Sequence, residues 1–105
     1  MIILEPIKIA HQLLRQLAKE GDVLVDATMG NGQDTLFLSQ LVGKSGCVYA
    51  FDIQIAALTR TRKLLQHHGA YNVELIHDSH IYFSLYFISA KAFIYNLGYL
   101  PGGDK

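Results

Sequence analysis

The segment from Val23 to Thr35 constrains the fold of this chain more than any other part of the sequence. An apolar run from Val23 to Val25 leads to Asp26 and then to a loop that contains Gly30 and Gly32. Glycine permits backbone angles and a close ligand approach that a Cβ would prevent. The helix predicted after the loop would direct its free N–H groups toward the same place. The segment is therefore typical of a buried strand that leads into a nucleotide-cofactor site.

Hydrophobic periodicity predicts that helices and strands alternate along the rest of the chain. We predict helices at residues 7–19, 34–42 and 54–68, and strands at residues 23–27, 47–52, 73–77 and 92–96. This alternation favours an α/β, Rossmann-like three-layer sandwich with a mostly parallel sheet, in which the four strands have the order 3-2-1-4. The fourth strand would be an unpaired apolar edge, so we expect further C-terminal strands or a homodimer partner to cover it.

Composition indicates one globular domain, residues 1–105, with nine basic and nine acidic residues, so net charge favours no particular partner. The single cysteine, Cys47, excludes an internal disulfide and is consistent with a reducing cytoplasm. The stretch from Ile81 to Leu100 is long enough to cross a bilayer, but the central Lys91 argues against a membrane span. We expect a cytoplasmic protein with no membrane partner, in which residues 81–90 form either helix or strand.

A second acidic residue, Asp52, ends the second predicted strand twenty residues after Gly32. A carboxylate there is well placed to accept hydrogen bonds from both ribose hydroxyls of an adenosine cofactor. A nicotinamide-binding loop would have a third glycine where this chain has Thr35, and an apolar strand end where it has Asp26. The pattern favours S-adenosylmethionine (SAM), with a nicotinamide-dependent oxidoreductase as the alternative. Asp26 alone is also compatible with a capping or turn aspartate.

Four segments carry a resemblance to a known family: DATMGNGQDT at residues 26–35, FDIQ at 51–54, HDSH at 77–80 and NLGYLPGGDK at 96–105. Together they resemble the rRNA methylase family of class I SAM-dependent methyltransferases. That family includes the bacterial enzyme that methylates the aminomethyl group on the tRNA wobble uridine. The resemblance implies a SAM-dependent N-methyltransferase with an RNA substrate, tRNA in particular. Family members continue past NLGYLPGGDK, so it also implies a chain cut short at its C-terminus, with an inactive cofactor-binding remnant as an alternative.

The resemblance further implies which residues bind SAM. Asp26 and the two loop glycines would hold the methionine end, Asp52 the ribose, and Asp78 with Ser79 the adenine edge. The full set of cofactor-binding residues that we predict is Asp26, Thr28, Gly30, Asn31, Gly32, Asp34, Thr35, Asp52, Gln54, Asp78 and Ser79.

Candidate catalytic residues lie in the last segment. By the resemblance, Asn96 and Tyr99 occupy the place of the Asn/Asp-Pro-Pro-Tyr loop of amino-methylating relatives. Asn96 would accept hydrogens of the acceptor amine and aim its lone pair at the methyl group, and Tyr99 would flank a base or that methyl group. Asp104 is a candidate to accept the amine's proton.

Other polar groups have simpler interpretations. Arg60, Arg62 and Lys63 can contact phosphates, but a solvated helix face is the favoured interpretation. His77, Asp78 and His80 leave one strand together and seldom converge on a metal, so we predict no metal site.

Overall fold

The structure, a computed structural model, describes residues 2–4, 10–79 and 90–94. In this part of the chain the strands are β1 (Ile2–Leu4), β2 (Val23–Asp26), β3 (Cys47–Asp52), β4 (Val73–His77) and β5 (Ala92–Ile94). The helices are α1 (Ala10–Leu17), α2 (Gln33–Val42) and α3 (Ile55–His67). Where both ends of a predicted element are described, the observed bounds agree with the prediction to within two residues. The ambiguous segment at residues 81–90 lies outside the described residues except for its last position.

The strands form one parallel sheet in the order β1-β5-β2-β3-β4. The four predicted strands correspond to β2, β3, β4 and β5, so the predicted order 3-2-1-4 is confirmed. Each parallel neighbour must be reached by a crossover, and α2 and α3 supply the crossovers from β2 to β3 and from β3 to β4. The α/β, Rossmann-like class is therefore confirmed.

The prediction that the strand at residues 92–96 would form an unpaired edge is wrong. Residues 2–4 pair with β5 in parallel, with Ile2 opposite Ala92 and Leu4 opposite Ile94. The N-terminal apolar residues therefore satisfy the backbone groups on that side of β5, and neither further strands nor a second copy of the chain is needed there.

All three helices contribute to a core on one face of the sheet. Leu14 of α1 and Leu38 of α2 are buried with Leu24 of β2 and Val48 of β3. Further along the same face, α3 packs through Ala57 and Leu58 against Met29 and Ala50. The opposite face buries Val25, Phe51 and Ile76, and the third layer of the predicted sandwich stays a prediction. Among the described residues, no helix is long and apolar enough to cross a membrane.

Asn72, directly before β4, joins the end of α2 to the sheet. Its side-chain amide donates hydrogen bonds to the carbonyl oxygens of Ser39 (3.0 Å) and Gly43 (2.7 Å). Its side-chain oxygen accepts a hydrogen bond from the Ser39 hydroxyl. The Ser39 carbonyl also accepts the Gly43 N–H (3.2 Å), and Gly43 directly follows α2. Asn72 therefore adds side-chain hydrogen bonds at the end of α2 and fixes it relative to β4.

Candidate functional site

The predicted cofactor residues converge at the carboxyl ends of three neighbouring strands. Asp26 ends β2, Asp52 ends β3 and His77 ends β4, and Asp52 and His77 are paired directly across the sheet. In parallel sheets, ligands bind beyond the carboxyl ends of the strands, where the strand order reverses. That reversal occurs at β2, because the chain continues to β3 on one side and later returns to β5 on the other.

The loop between β2 and α2 is fixed by hydrogen bonds to β3 and β5. The Ala27 N–H donates to the Ile94 carbonyl (2.8 Å) and the Met29 N–H to the Phe51 carbonyl (2.9 Å). Beyond these contacts, the Gly30 N–H donates to Asp52 Oδ2 at 3.1 Å. These bonds hold the loop backbone in place in the absence of a ligand, which reduces the entropy that binding would cost.

The two loop glycines have left-handed backbone angles for different physical reasons. Gly30 has φ +56°, and a Cβ placed there would meet no heavy atom of the described residues within 4 Å. Gly32 has φ +90°, and a Cβ there would lie 2.9 Å from Thr61 Oγ1 and 3.0 Å from Thr61 Cα. Gly30 therefore leaves open space beside the loop for a ligand. Gly32 is required because α3 packs closely against it, and its predicted contact with the cofactor stays a prediction.

Asp26 is fully buried and supports the loop from inside. Its carboxylate accepts hydrogen bonds from the Thr35 hydroxyl (2.7 Å) and the Thr28 N–H (3.3 Å). Burial raises the pKa of the Asp26 carboxyl from 3.8 to about 7; the Thr35 hydrogen bond opposes this shift and the Asp34 charge adds to it. The side chain therefore joins β2 to α2 under the loop, and a direct contact with the methionine end of a cofactor stays a prediction.

Asp52 has the geometry expected of a ribose-binding carboxylate. Its two oxygens accept the N–H groups of Gly30 (3.1 Å) and Gln54 (2.9 Å). A carboxylate oxygen can accept more than one hydrogen bond, so each retains capacity for a ligand hydroxyl. Asp26 accepts the Thr28 N–H and Asp52 accepts the Gly30 N–H, so both carboxylates contact the same short loop. This carboxylate and the open space at Gly30 fit the ribose and the adjoining part of SAM.

The remaining predicted cofactor residues surround this centre. Asn31 is exposed and its side chain accepts the Gln33 N–H (3.0 Å), which shapes the entry to α2. Asp78 follows β4 and forms an isolated bridge with Asp52, and its carboxylate accepts the Ser79 N–H (2.7 Å). Asp52 and Asp78 are therefore adjacent at the strand ends, and their ribose and adenine roles stay predictions.

Sequence analysis missed two residues that support the loop. His11 Nε2 lies 3.0 Å from Asp34 Oδ1, and the His11 ring stacks on Phe37 with centroids 4.0 Å apart. This pair joins α1 to the first turn of α2 across 23 residues, and no local pattern predicts it. The other residue, Thr61, is fully buried and lies one helical turn after Ala57 and one turn before Leu65. A threonine between apolar residues at this spacing is visible in the sequence and could have identified it.

Three predicted catalytic residues, Asn96, Tyr99 and Asp104, lie outside the described residues, so their roles stay predictions. Within the part of the chain that the structure describes, no group of His, Cys, Asp or Glu side chains is placed to hold a metal. His77 Nε2 instead lies 3.1 Å from the Ile53 carbonyl oxygen. A cavity of about 490 Å³ lies at the other end of the sheet, between the ends of α2 and α3, and is separate from the glycine loop.

Comparison with known proteins identifies relatives of this arrangement. The family model described as "Putative rRNA methylase" matches residues 48–105. A chloroplastic tRNA (mnm(5)s(2)U34)-methyltransferase of Arabidopsis thaliana is 37% identical over 110 residues, which cover 93% of this chain and 40% of the relative.

Two crystal structures show the same fold at higher identity. A "putative rRNA-methylase" from Clostridium thermocellum is 44% identical with a TM-score of 0.83, covering 99% of this chain and 57% of the other. A "putative methyltransferase" from Streptococcus mutans, solved in complex with S-adenosylhomocysteine (SAH), is 42% identical with a TM-score of 0.77. The match covers 98% of this chain and 57% of the Streptococcus mutans chain.

The chain thus spans about two fifths to three fifths of the length of these relatives. The match over residues 48–105 includes Asp52, Asp78 and the predicted catalytic segment. The Streptococcus mutans relative was solved with SAH, the demethylated form of the cofactor that the glycine loop and Asp52 indicate. The chain belongs to the rRNA methylase family of SAM-dependent methyltransferases.

Proposed function

We propose that this chain forms the cofactor-binding part of a SAM-dependent N-methyltransferase that methylates the aminomethyl group of the tRNA wobble uridine. The observation that carries the cofactor role is the position of Asp52, hydrogen-bonded to the Gly30 backbone beside open space. The tRNA substrate is supported by the 37% identity to the Arabidopsis tRNA methyltransferase.

Methyl transfer of this kind depends mainly on alignment. SAM supplies an activated methyl group on a positively charged sulfur. Asp52 would accept hydrogen bonds from the ribose hydroxyls, and the loop backbone at Gly30 would contact the adjoining part of the cofactor. The hydrogen bonds from Met29 and Gly30 to β3 keep this surface rigid, so the cofactor is held in one orientation while the acceptor amine approaches.

The acceptor side of the proposal rests on the segment that begins at Asn96. An amine attacks with its lone pair, so that lone pair must lie in line with the bond from sulfur to methyl. In the proposal, Asn96 accepts the amine's hydrogens and Tyr99 flanks the base. Asp104 accepts the proton if the amine arrives protonated. One domain at residues 1–105 and a cytoplasmic location belong to the same proposal.

Isothermal titration calorimetry with SAH and with NAD tests the cofactor role. We expect SAH to bind with a micromolar or lower Kd and NAD not to bind. Binding of NAD without SAH would instead support an oxidoreductase. Asp52→Asn should weaken SAH binding by about 1–3 kcal/mol, because the charge-assisted hydrogen bonds to the ribose are lost.

Asp22→Asn is the matched control for this substitution. Asp22 also accepts a backbone N–H, that of Lys19 at 2.7 Å, but it lies before β2 at the opposite end of the sheet. The two variants change the net charge equally, so an equal loss of SAH affinity would show that Asp52 does not contact the ribose. Transfer of labelled methyl groups from SAM to undermodified tRNA then tests the substrate. Normal SAH binding without transfer would support the cofactor-binding remnant.

A further inference from the structure

The outer surface of α3 is unusually basic for a chain of zero net charge. The helix buries Ala57, Leu58, Thr61 and Leu65 against the sheet and α2 and exposes its other side. Arg60, Arg62 and Lys63 all lie on the exposed side. Residues 53–73 contain these three cations and no aspartate or glutamate. Because the whole chain has nine basic and nine acidic residues, this segment concentrates positive charge.

These cations have no acidic partners within the described part of the chain. The ion pairs observed there join His11 to Asp34 and Lys91 to Asp22, both away from α3. At 100° per residue, Arg62 and Arg60 occupy opposite edges of the exposed side, and Lys63 lies between them. The charge is therefore spread across the width of the helix over little more than one turn.

Tyr71, which follows α3, adds an exposed aromatic ring to this surface. Its relative exposure is 83%, the highest among the large apolar and aromatic side chains described. It lines the cavity of about 490 Å³ together with Lys44 and His68. It also lines a second cavity, of about 320 Å³, together with Arg62 and Glu74. Tyr71 therefore borders two cavities, and each cavity is also lined by a cationic residue, Lys44 in one and Arg62 in the other.

We propose that Arg60, Arg62, Lys63 and Tyr71, here called the α3 surface, form an RNA-binding surface outside the methyl-transfer site. The cations contact phosphates, and an unpaired base stacks on Tyr71. This inference rests on the proposed function, since it assigns the α3 surface to the same RNA substrate. The face of α3 and the glycine loop lie on one body, so one RNA molecule can reach both.

The combination of groups favours RNA over an acidic protein partner. Cationic side chains without an acidic partner can bind any kind of anion. An exposed aromatic ring beside cationic residues is the arrangement with which proteins bind unpaired nucleotides, because bases stack on the ring while phosphates contact the cations. One carboxylate, Glu74, lines the smaller cavity beside Arg62, whereas α3 itself carries three cations and no carboxylate.

Fluorescence anisotropy with a labelled, unmodified tRNA transcript tests the proposal at several KCl concentrations. Lys63→Glu is compared with Lys19→Glu, since Lys19 is also exposed but lies beyond α1, and both variants change the charge equally. We expect Lys63→Glu to weaken RNA binding about 3–10-fold more than the control and to lower the salt slope by about one. Tyr71→Ala should weaken binding about fivefold or more, and Tyr71→Phe should bind as the unmodified chain does.

SAH titration of every variant separates this inference from the proposed function. Normal SAH binding in all variants, with the RNA effects above, supports the α3 surface. Equal effects of Lys63→Glu and Lys19→Glu, no effect of Tyr71→Ala, or no RNA binding by the unmodified chain would each overturn it. Binding of polyglutamate in place of RNA would also overturn it and assign the surface to an acidic protein. If the unmodified chain does not bind SAH, the result contradicts the proposed function instead.

Discussion

The two glycines of the cofactor loop should respond differently to the same substitution. Gly32→Ala adds a methyl group 2.9 Å from Thr61 Oγ1 and 3.0 Å from Thr61 Cα, and the latter is backbone that cannot rotate away. Gly30→Ala adds the same methyl group to open space. Both residues have positive φ, so both substitutions strain the backbone, but only Gly32→Ala also forces α3 away from the loop.

The magnitudes follow from these two contributions. A non-glycine residue in the left-handed region costs about 1–2 kcal/mol. Overpacking a close contact adds about 1–3 kcal/mol. Gly32→Ala should therefore lower the free energy of unfolding by about 2–5 kcal/mol, and Gly30→Ala by about 1–2 kcal/mol.

Urea denaturation followed by circular dichroism measures both values, and SAH titration measures the effect on the cofactor site. Gly30→Ala should lose SAH affinity while remaining folded, because its methyl group occupies the space beside the loop. Thr61→Ala provides a coupling test, since it removes the atom nearest to the new methyl group. It should restore part of the stability that Gly32→Ala loses, because the two side chains are in contact.

A Gly30→Ala variant that is as unstable as Gly32→Ala would refute this reasoning. So would a Thr61→Ala effect that simply adds to that of Gly32→Ala. Either result would mean that α3 does not pack against Gly32 as observed.

Two further substitutions test the buried polar contacts. Asp26→Asn removes a carboxyl whose pKa is raised to about 7 in the fold. The unfolded chain loses this proton at a lower pH than the folded chain does. The free energy of unfolding of the unmodified chain therefore falls as pH rises from the unfolded-state pKa to the folded-state pKa. The stability of Asp26→Asn relative to the unmodified chain should therefore increase between about pH 4 and pH 7, by up to about 1.4 kcal/mol per pH unit, and level off above pH 7. A difference independent of pH, measured by urea denaturation, would contradict the burial of this carboxyl. Asn72→Ala removes the hydrogen bonds to Ser39 and Gly43 and should lower the free energy of unfolding by about 2–4 kcal/mol. Gln40→Ala, an exposed amide on α2, is the control and should change it by less than about 0.5 kcal/mol; equal effects would argue against the role of Asn72 at the end of α2.

Much of the candidate site was predictable because its signals are local. The strand before Asp26, the glycines after it and the strand before Asp52 are each readable within about ten residues. Parallel pairing then brings the ends of consecutive strands to one edge, so the meeting of Asp26 and Asp52 follows from the order of elements. The family resemblance added the cofactor and the RNA substrate, which spacing alone left open.

The edge of the sheet was not predictable in the same way. The apolar start of the chain, residues 2–4, is too short to show a period, and it pairs with β5 about ninety residues later. The sequence pattern assigns no strand to residues 2–4, so it leaves β5 without a partner on that side.

The sequence alone established the alternation of helices and strands, where the strands before Asp26 and Asp52 end, and that a glycine loop lies between these two carboxylates, because helix and strand periods are properties of neighbouring residues. The packed structure established that Asp26 is enclosed, that Gly32 makes room for Thr61 while Gly30 faces open space, and that His11 holds Asp34. The contacts of Gly32 with Thr61 and of His11 with Asp34 join segments 20 or more residues apart. They depend on how the elements pack in three dimensions, and no local pattern encodes that.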